Sequence, residues 1–69
     1  MEYAIYINGS RSSKFFATMG EAVQELLHRR DNIITKGDVN LVVSELSENA
    51  FAVYDKVSQI IYCYAVGGR

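Results

Sequence analysis

The sequence predicts an α+β domain in which one amphipathic helix lies on one face of a mostly antiparallel sheet of four to five strands. Three observations carry that reading. Thr18-Met19-Gly20-Glu21 opens an apolar stripe with helical spacing. The stretches on both sides of it are rich in β-branched and aromatic residues. The connections between the C-terminal stretches are only a few residues long, which makes hairpins. The expected order is β-β-α-β-β-β, or β-α-β-β-β if the second strand does not form.

Glu2 to Ile7 reads as the first strand, ending at Asn8-Gly9, a turn pair because both residues tolerate positive φ. Ser10 to Ser13 continues as a polar loop, and Lys14-Phe15-Phe16-Ala17 is a short second strand pairing back on the first. Thr18 then caps the helix, its side chain accepting from the amide three residues on while Glu21 reaches back. Met19, Ala22, Val23, Leu26 and Leu27 form the buried stripe, with Gln24, Glu25, His28 and Arg29 on the other sides. His28-Arg29-Arg30 suits the negative C-terminal end of the dipole, and Asp31-Asn32 is expected to end the helix. Ile33 to Asp38 reads as a connection with a turn at Gly37-Asp38. Val39 to Leu46, Ala50 to Tyr54 and Gln59 to Val66 are the remaining strands, joined at Ser47-Glu48-Asn49 and at Asp55 to Ser58. Gly67-Gly68-Arg69 reads as a flexible tail. The chain contains no proline, which suits uninterrupted ladders.

Sixty-nine residues make a single domain of residues 1–69, without a cleft between lobes. A core of that size supplies only about 3–5 kcal/mol of net stability unless something staples it. Cys63 is the single cysteine, so no disulfide forms within the chain. One Cys and one His also make no classical zinc site. Stability must come from apolar packing, to which 49% of the residues contribute, or from oligomerisation. Within the apolar run Ile60 to Val66, Cys63 reads as a small buried hydrophobe. A reactive thiol would want a basic neighbour or a helix N-terminus, and none is adjacent in sequence.

The formal net charge of −1 argues against a general electrostatic binder of nucleic acid, and equally against an acidic mimic of DNA. No apolar run approaches the ~20 residues that span a membrane. Met1-Glu2-Tyr3-Ala4-Ile5 lacks the basic start of a signal peptide, so the expected location is the cytoplasm.

Strand alternation suggests a binding surface. Small residues suit the side on which a helix approaches closely, so Ile61, Cys63 and Ala65 are placed beneath it. Phe51, Val53, Ile5 and Ile7 are expected to point the same way. The opposite face then carries Tyr6, Tyr54, Tyr62 and Tyr64, with Ala4, Ala52, Ile60 and Val66. Tyrosine tolerates exposure yet contributes strongly when a partner buries it. It is also a common strand residue with no function attached. A one-residue slip in register would move those rings into the core. Arg29 and Arg30, with His28 and Lys36, form a basic cluster that could meet phosphate or an acidic partner, or simply solvate a helix end. Glu45, Glu48 and Asp55 lie near hairpin ends, where they could face a basic groove or serve turn chemistry.

Catalysis finds no support. His28 has no sequence-local nucleophile or orienting carboxylate, and the serines lack a nucleophile-elbow pattern. Asn8-Gly9-Ser10 is a turn and no phosphate cradle. No catalytic residue, metal ligand or cofactor is assigned, and the chain is expected not to be an enzyme.

The arrangement resembles the small inhibitor proteins that bacteriophages encode against host machinery, of which anti-CRISPR proteins are the best-known group. The stretches that carry it are Tyr3-Ala4-Ile5-Tyr6-Ile7, the helix from Thr18, and Leu41-Val42-Val43-Ser44-Glu45-Leu46 followed by Phe51-Ala52-Val53-Tyr54-Asp55. The resemblance covers nearly the whole chain and lies in pattern alone, so no site residue is carried over. It implies a stoichiometric inhibitor that occupies a functional surface on a host protein complex. Steric occlusion would then use Tyr6, Tyr54, Tyr62 and Tyr64 as anchors, with Arg29, Arg30, Glu45 or Asp55 setting orientation. Two other readings stand beside it. Aromatic rings on an open sheet can stack single-stranded nucleic acid, although the chain lacks the basic surplus. The same face, or an edge strand, could pair two copies in a homo-dimer.

Overall fold

A computed structural model describes residues 2–68. It contains one helix and one five-stranded antiparallel sheet, an α+β fold. In chain order the elements are β1 (Tyr3–Ile7), β2 (Ser10–Arg11), α1 (Met19–Lys36), β3 (Leu41–Ser47), β4 (Ala50–Asp55) and β5 (Ile60–Gly68). In space the strands run β2-β1-β5-β4-β3. The last strand therefore sits at the centre, between the β1-β2 hairpin and the β3-β4 hairpin.

Local chemistry explains each boundary. Asn8 and Gly9 both take positive φ, 52° and 83°, as a two-residue hairpin turn requires. Asn8 has a second role at the end of β1. Its backbone N–H donates to the Cys63 carbonyl at 2.9 Å, and its side-chain Oδ1 accepts from the Cys63 N–H at 2.8 Å. The side chain thus extends the ladder where the β1 backbone turns away. The second strand differs from expectation. Pairing begins at once at Ser10-Arg11, while the Lys14–Ala17 stretch contributes only the bridge between Phe16 and Tyr3. A tight turn sets the following residues directly opposite β1, whatever their polarity.

Thr18 caps α1 as expected, accepting from the Glu21 N–H at 3.3 Å. The helix does not stop at Asp31-Asn32. It runs to Lys36 and ends at Gly37, whose φ of 64° places it in the left-handed region and whose N–H donates to the Ile34 carbonyl. Asp and Asn are weak helix formers, but each disfavours the helix by only about 0.7 kcal/mol or less. Ile33 outweighs this by packing one more turn of the stripe against the core. His28-Arg29-Arg30 consequently lies mid-helix, and Lys36 is the cation of the last turn. Gly67 and Gly68, expected in a tail, continue β5 opposite Ala4 and Tyr3, and Arg69 lies outside the described residues.

Ile5, Leu26, Phe51 and Val53 form the buried core, with Ile7, Phe16, Ile33, Leu41, Val43, Tyr62, Tyr64 and Val66 packed around them. This list reverses the expectation for β5. Val53 pairs with Tyr62 and Phe51 with Tyr64, and directly paired residues share a face. The Phe51 and Tyr64 rings stack at 4.7 Å between centroids, 5° from parallel. Tyr62, Tyr64 and Val66 therefore lie on the helix side, and Ile61, Cys63 and Ala65 on the open side. Cys63 is exposed, not buried.

The register sets different costs for the tyrosines. Tyr64→Ala should destabilise the fold by about 2–4 kcal/mol, since it removes half of the central stack. Tyr54→Ala should cost less than about 1 kcal/mol. Urea unfolding of the two variants checks this, and equal losses would contradict the register.

Candidate interaction face

The open face consists of Ala4 and Tyr6 from β1, Arg11 from β2, Val42 and Ser44 from β3, Ala50, Ala52 and Tyr54 from β4, and Ile61, Cys63, Ala65 and Gly67 from β5. An antiparallel sheet that meets water on one side ordinarily alternates apolar-in with polar-out. These strands do not. Arg11 is the one ionisable cation among those strand positions, and it sits at the margin, with its guanidinium 5.0 Å from the centre of the Phe15 ring.

Register gives the face its relief. Val42, Tyr54 and Ile61 are direct cross-strand neighbours, so they form one transverse ridge over three strands. Their exposures are 41%, 37% and 56%, so the ridge is an accessible, contiguous apolar feature of the sheet. Beside it runs a low row, Ser44-Ala52-Cys63. Ala50 and Ala65 extend that floor toward Tyr6, the cross-strand partner of Ala65. The small residues that sequence reasoning placed beneath the chain's own helix thus line the side that lacks one.

Tyr6 is held down on this surface. A Cβ added to Gly67 would lie 2.6 Å from Tyr6 Cε1, so the ring rests directly over the glycine. Only a residue without a side chain admits that approach, and the ring in turn covers an otherwise bare strand position. Tyr6 is half-buried as a result, and Ala4, two residues before it, is fully buried.

The other expected site residues are dispersed. Tyr62 and Tyr64 belong to the helix-side packing and are not anchors on the open face. Arg30 and Glu45 do come together, as an ion pair linking α1 to β3, and Arg30 also reaches Asp31 at 3.3 Å. Arg29 faces Glu25 one helical turn back, at 3.9 Å. Asp55 builds a turn: its Oδ1 accepts from the Val57 N–H at 2.9 Å and the Ser58 N–H at 3.4 Å. Sequence reasoning placed Tyr6 and Tyr54 on the open side and missed Ile61, Cys63 and Val42. The signal lay in the hairpin itself. Once Asp55 pairs with Ile60, odd positions of β4 face even positions of β5, which carries Tyr62 and Tyr64 to the side of Val53 and Phe51.

Among the described residues, no cluster of three or more His, Cys, Asp or Glu is placed to hold a metal ion. No described helix is long and apolar enough to cross a membrane. No family model, curated protein or solved structure matches the chain.

The contact between Tyr6 and Gly67 has a direct spectroscopic signature. The Gly67 Hα resonances should be shifted upfield by the ring current and return toward ordinary glycine values in Tyr6→Leu. Unchanged resonances would place the ring elsewhere.

Proposed function

We propose that the chain is a protein-interaction module whose open sheet face docks on a partner protein and blocks the surface it covers. The observation that carries this reading is the ridge Val42-Tyr54-Ile61 beside a floor of small residues, on a sheet face almost without charge. Isolated exposed apolar residues are ordinary, but a contiguous set is a mark of association. The tyrosine supplies a rigid amphipathic anchor, and the small floor lets a partner element approach the backbone closely. Tyr6 bounds the surface at the other end. Arg29, Arg30, Glu45 and Asp55 lie off this face and serve helix, edge and turn.

Occlusion by a small domain matches the pattern resemblance to phage-encoded inhibitors of host protein complexes. On that reading the partner is a host assembly, and the host cytoplasm is the place of action. Base stacking has weaker support. The open face offers two separated tyrosines and a single cation at its margin, whereas single-strand binders combine stacking rings with a basic groove.

The test is affinity capture from a host-cell lysate with the wild type and with a Tyr54→Asp/Ile61→Asp variant. Both proteins are first matched for helix content and urea midpoint. One partner complex, retained stoichiometrically by the wild type and weakened at least about 30-fold in the variant, supports docking by the ridge, since a hot spot contributes about 2 kcal/mol or more. Equal retention by the variant would move the docking site off this face. Capture that nuclease abolishes would replace the reading with nucleic-acid binding.

A further inference from the structure

The open face is not the only unsatisfied surface. β3 is an edge strand, and among the described residues its outer backbone groups have no sheet partner beyond it. Long flat edges invite pairing, and chains usually blunt them with charged side chains, above all lysine, with proline or with a bulge. β3 has no lysine or proline, and its irregularity falls at its end, between Glu45 and Ser47. The regular segment is therefore Leu41–Glu45, with Val43 at its midpoint.

The backbone phase of this segment follows from one bond. The Lys56 N–H donates to the Asn40 carbonyl at 2.8 Å, which turns Asn40 toward β4. In an antiparallel ladder this orientation alternates, so Val42 and Ser44 also face β4 while Leu41, Val43 and Glu45 face outward. The Leu41 N–H is already engaged by the Asp38 carbonyl at 3.1 Å. The outward groups left are the N–H and C=O of Val43 and Glu45 and the C=O of Leu41.

We propose that a second copy of the chain pairs with this edge, antiparallel and two-fold symmetric about Val43, to give one continuous ten-stranded sheet. Val43 then exchanges both bonds with Val43 of the second copy, and each Glu45 N–H donates to the other copy's Leu41 carbonyl. An isologous contact of this kind requires that a patch suit itself. The only ionisable side chain of the paired segment is Glu45, which is ion-paired with Arg30, and in this register it lies opposite Leu41 of the second copy and not opposite a second Glu45. A groove between α1 and β3 lies beside this edge. It is a cavity of about 590 Å³ lined by Ile33, Ile34, Leu41 and Val43, with Arg30 at one end and Asp38 at the other. Ile34, 57% exposed beside this groove, lies next to the new seam. The axis is perpendicular to the sheet, so both helices lie on one side and both open faces on the other. The docking surface of the proposed function doubles in width, although the pairing does not depend on that function.

The test uses the purified full-length chain alone. Sedimentation from about 1 μM to about 1 mM should show the mass double with concentration. Over the same range, amide exchange at Val43 and Glu45 should slow at least tenfold, while Val42 and Ser44 remain protected throughout. In this pairing residue 42 of each copy lies opposite residue 44 of the other. Val42→Lys/Ser44→Lys should therefore weaken the dimer at least tenfold, and Val42→Lys/Ser44→Glu should restore it, which separates loss of pairing from loss of fold. A monomer at every concentration overturns the proposal. So does a dimer in which the Val43 and Glu45 amides exchange as fast as in the monomer, because that dimer would join the open faces instead.

Discussion

The pairing of β4 with β5 is the constraint on which the rest depends. Four residues connect Asp55 to Ile60, and they form one compact turn. Asp55 accepts from the Val57 and Ser58 amides through its side chain and from the Gln59 N–H through its carbonyl. Gln59 completes the turn at a φ of 61°, a conformation uncommon for a residue with a side chain. That geometry fixes the parity of the hairpin. Val53 must face the way Tyr62 faces, and Phe51 the way Tyr64 faces. On the other side of β5, the β1 pairing places Ile5 opposite Val66, so both lie on the same helix side. That turn thus determines which side chains of β4 and β5 share the helix face.

One helix over five strands leaves an imbalance. The helix covers β5 and β1 and reaches β3 through the Arg30–Glu45 pair and Ile33. The side chains buried deeply beneath it are few, and the chain has no disulfide to supplement them. On the far side, Ala52, Cys63 and the Val42-Tyr54-Ile61 ridge occupy positions outside the buried core. Apolar residues there raise the free energy of the isolated domain in water and lower that of any complex that covers them. These apolar positions are the basis of the proposed docking, as the unpaired β3 edge is of the proposed self-pairing.

Much of the architecture was legible in the sequence. The capping box at Thr18, the Asn8-Gly9 turn and the short C-terminal connections each act through a few neighbouring residues, so local reasoning reads them. The helix end was missed because Asp31-Asn32 is a local signal overruled by a tertiary one, the burial of Ile33, with Gly37 as the true stop. The face of β5 was missed for a related reason. Ile61, Cys63, Tyr62 and Tyr64 are all acceptable on either side of a sheet, so side-chain size alone cannot place them. Only the turn parity can, and applying it required pairing Asp55 with Ile60 first. The candidate surface inherited that error in half of its tyrosines, while Tyr6 and Tyr54, fixed by the better-determined Ile5 and Val53, were placed correctly.

The orientation of β5 is tested most directly by the reactivity of Cys63. Its thiol lies on the open face, between Ala52 on β4 and Asn8 at the end of β1. A small thiol reagent applied to the native monomer at low micromolar concentration should label Cys63 within about tenfold of its rate in the urea-unfolded chain, since a surface cysteine needs no opening of the fold to react. Labelling that is suppressed by orders of magnitude, and that speeds up only as denaturant unfolds the domain, would put Cys63 beneath the helix and return Tyr62 and Tyr64 to the surface.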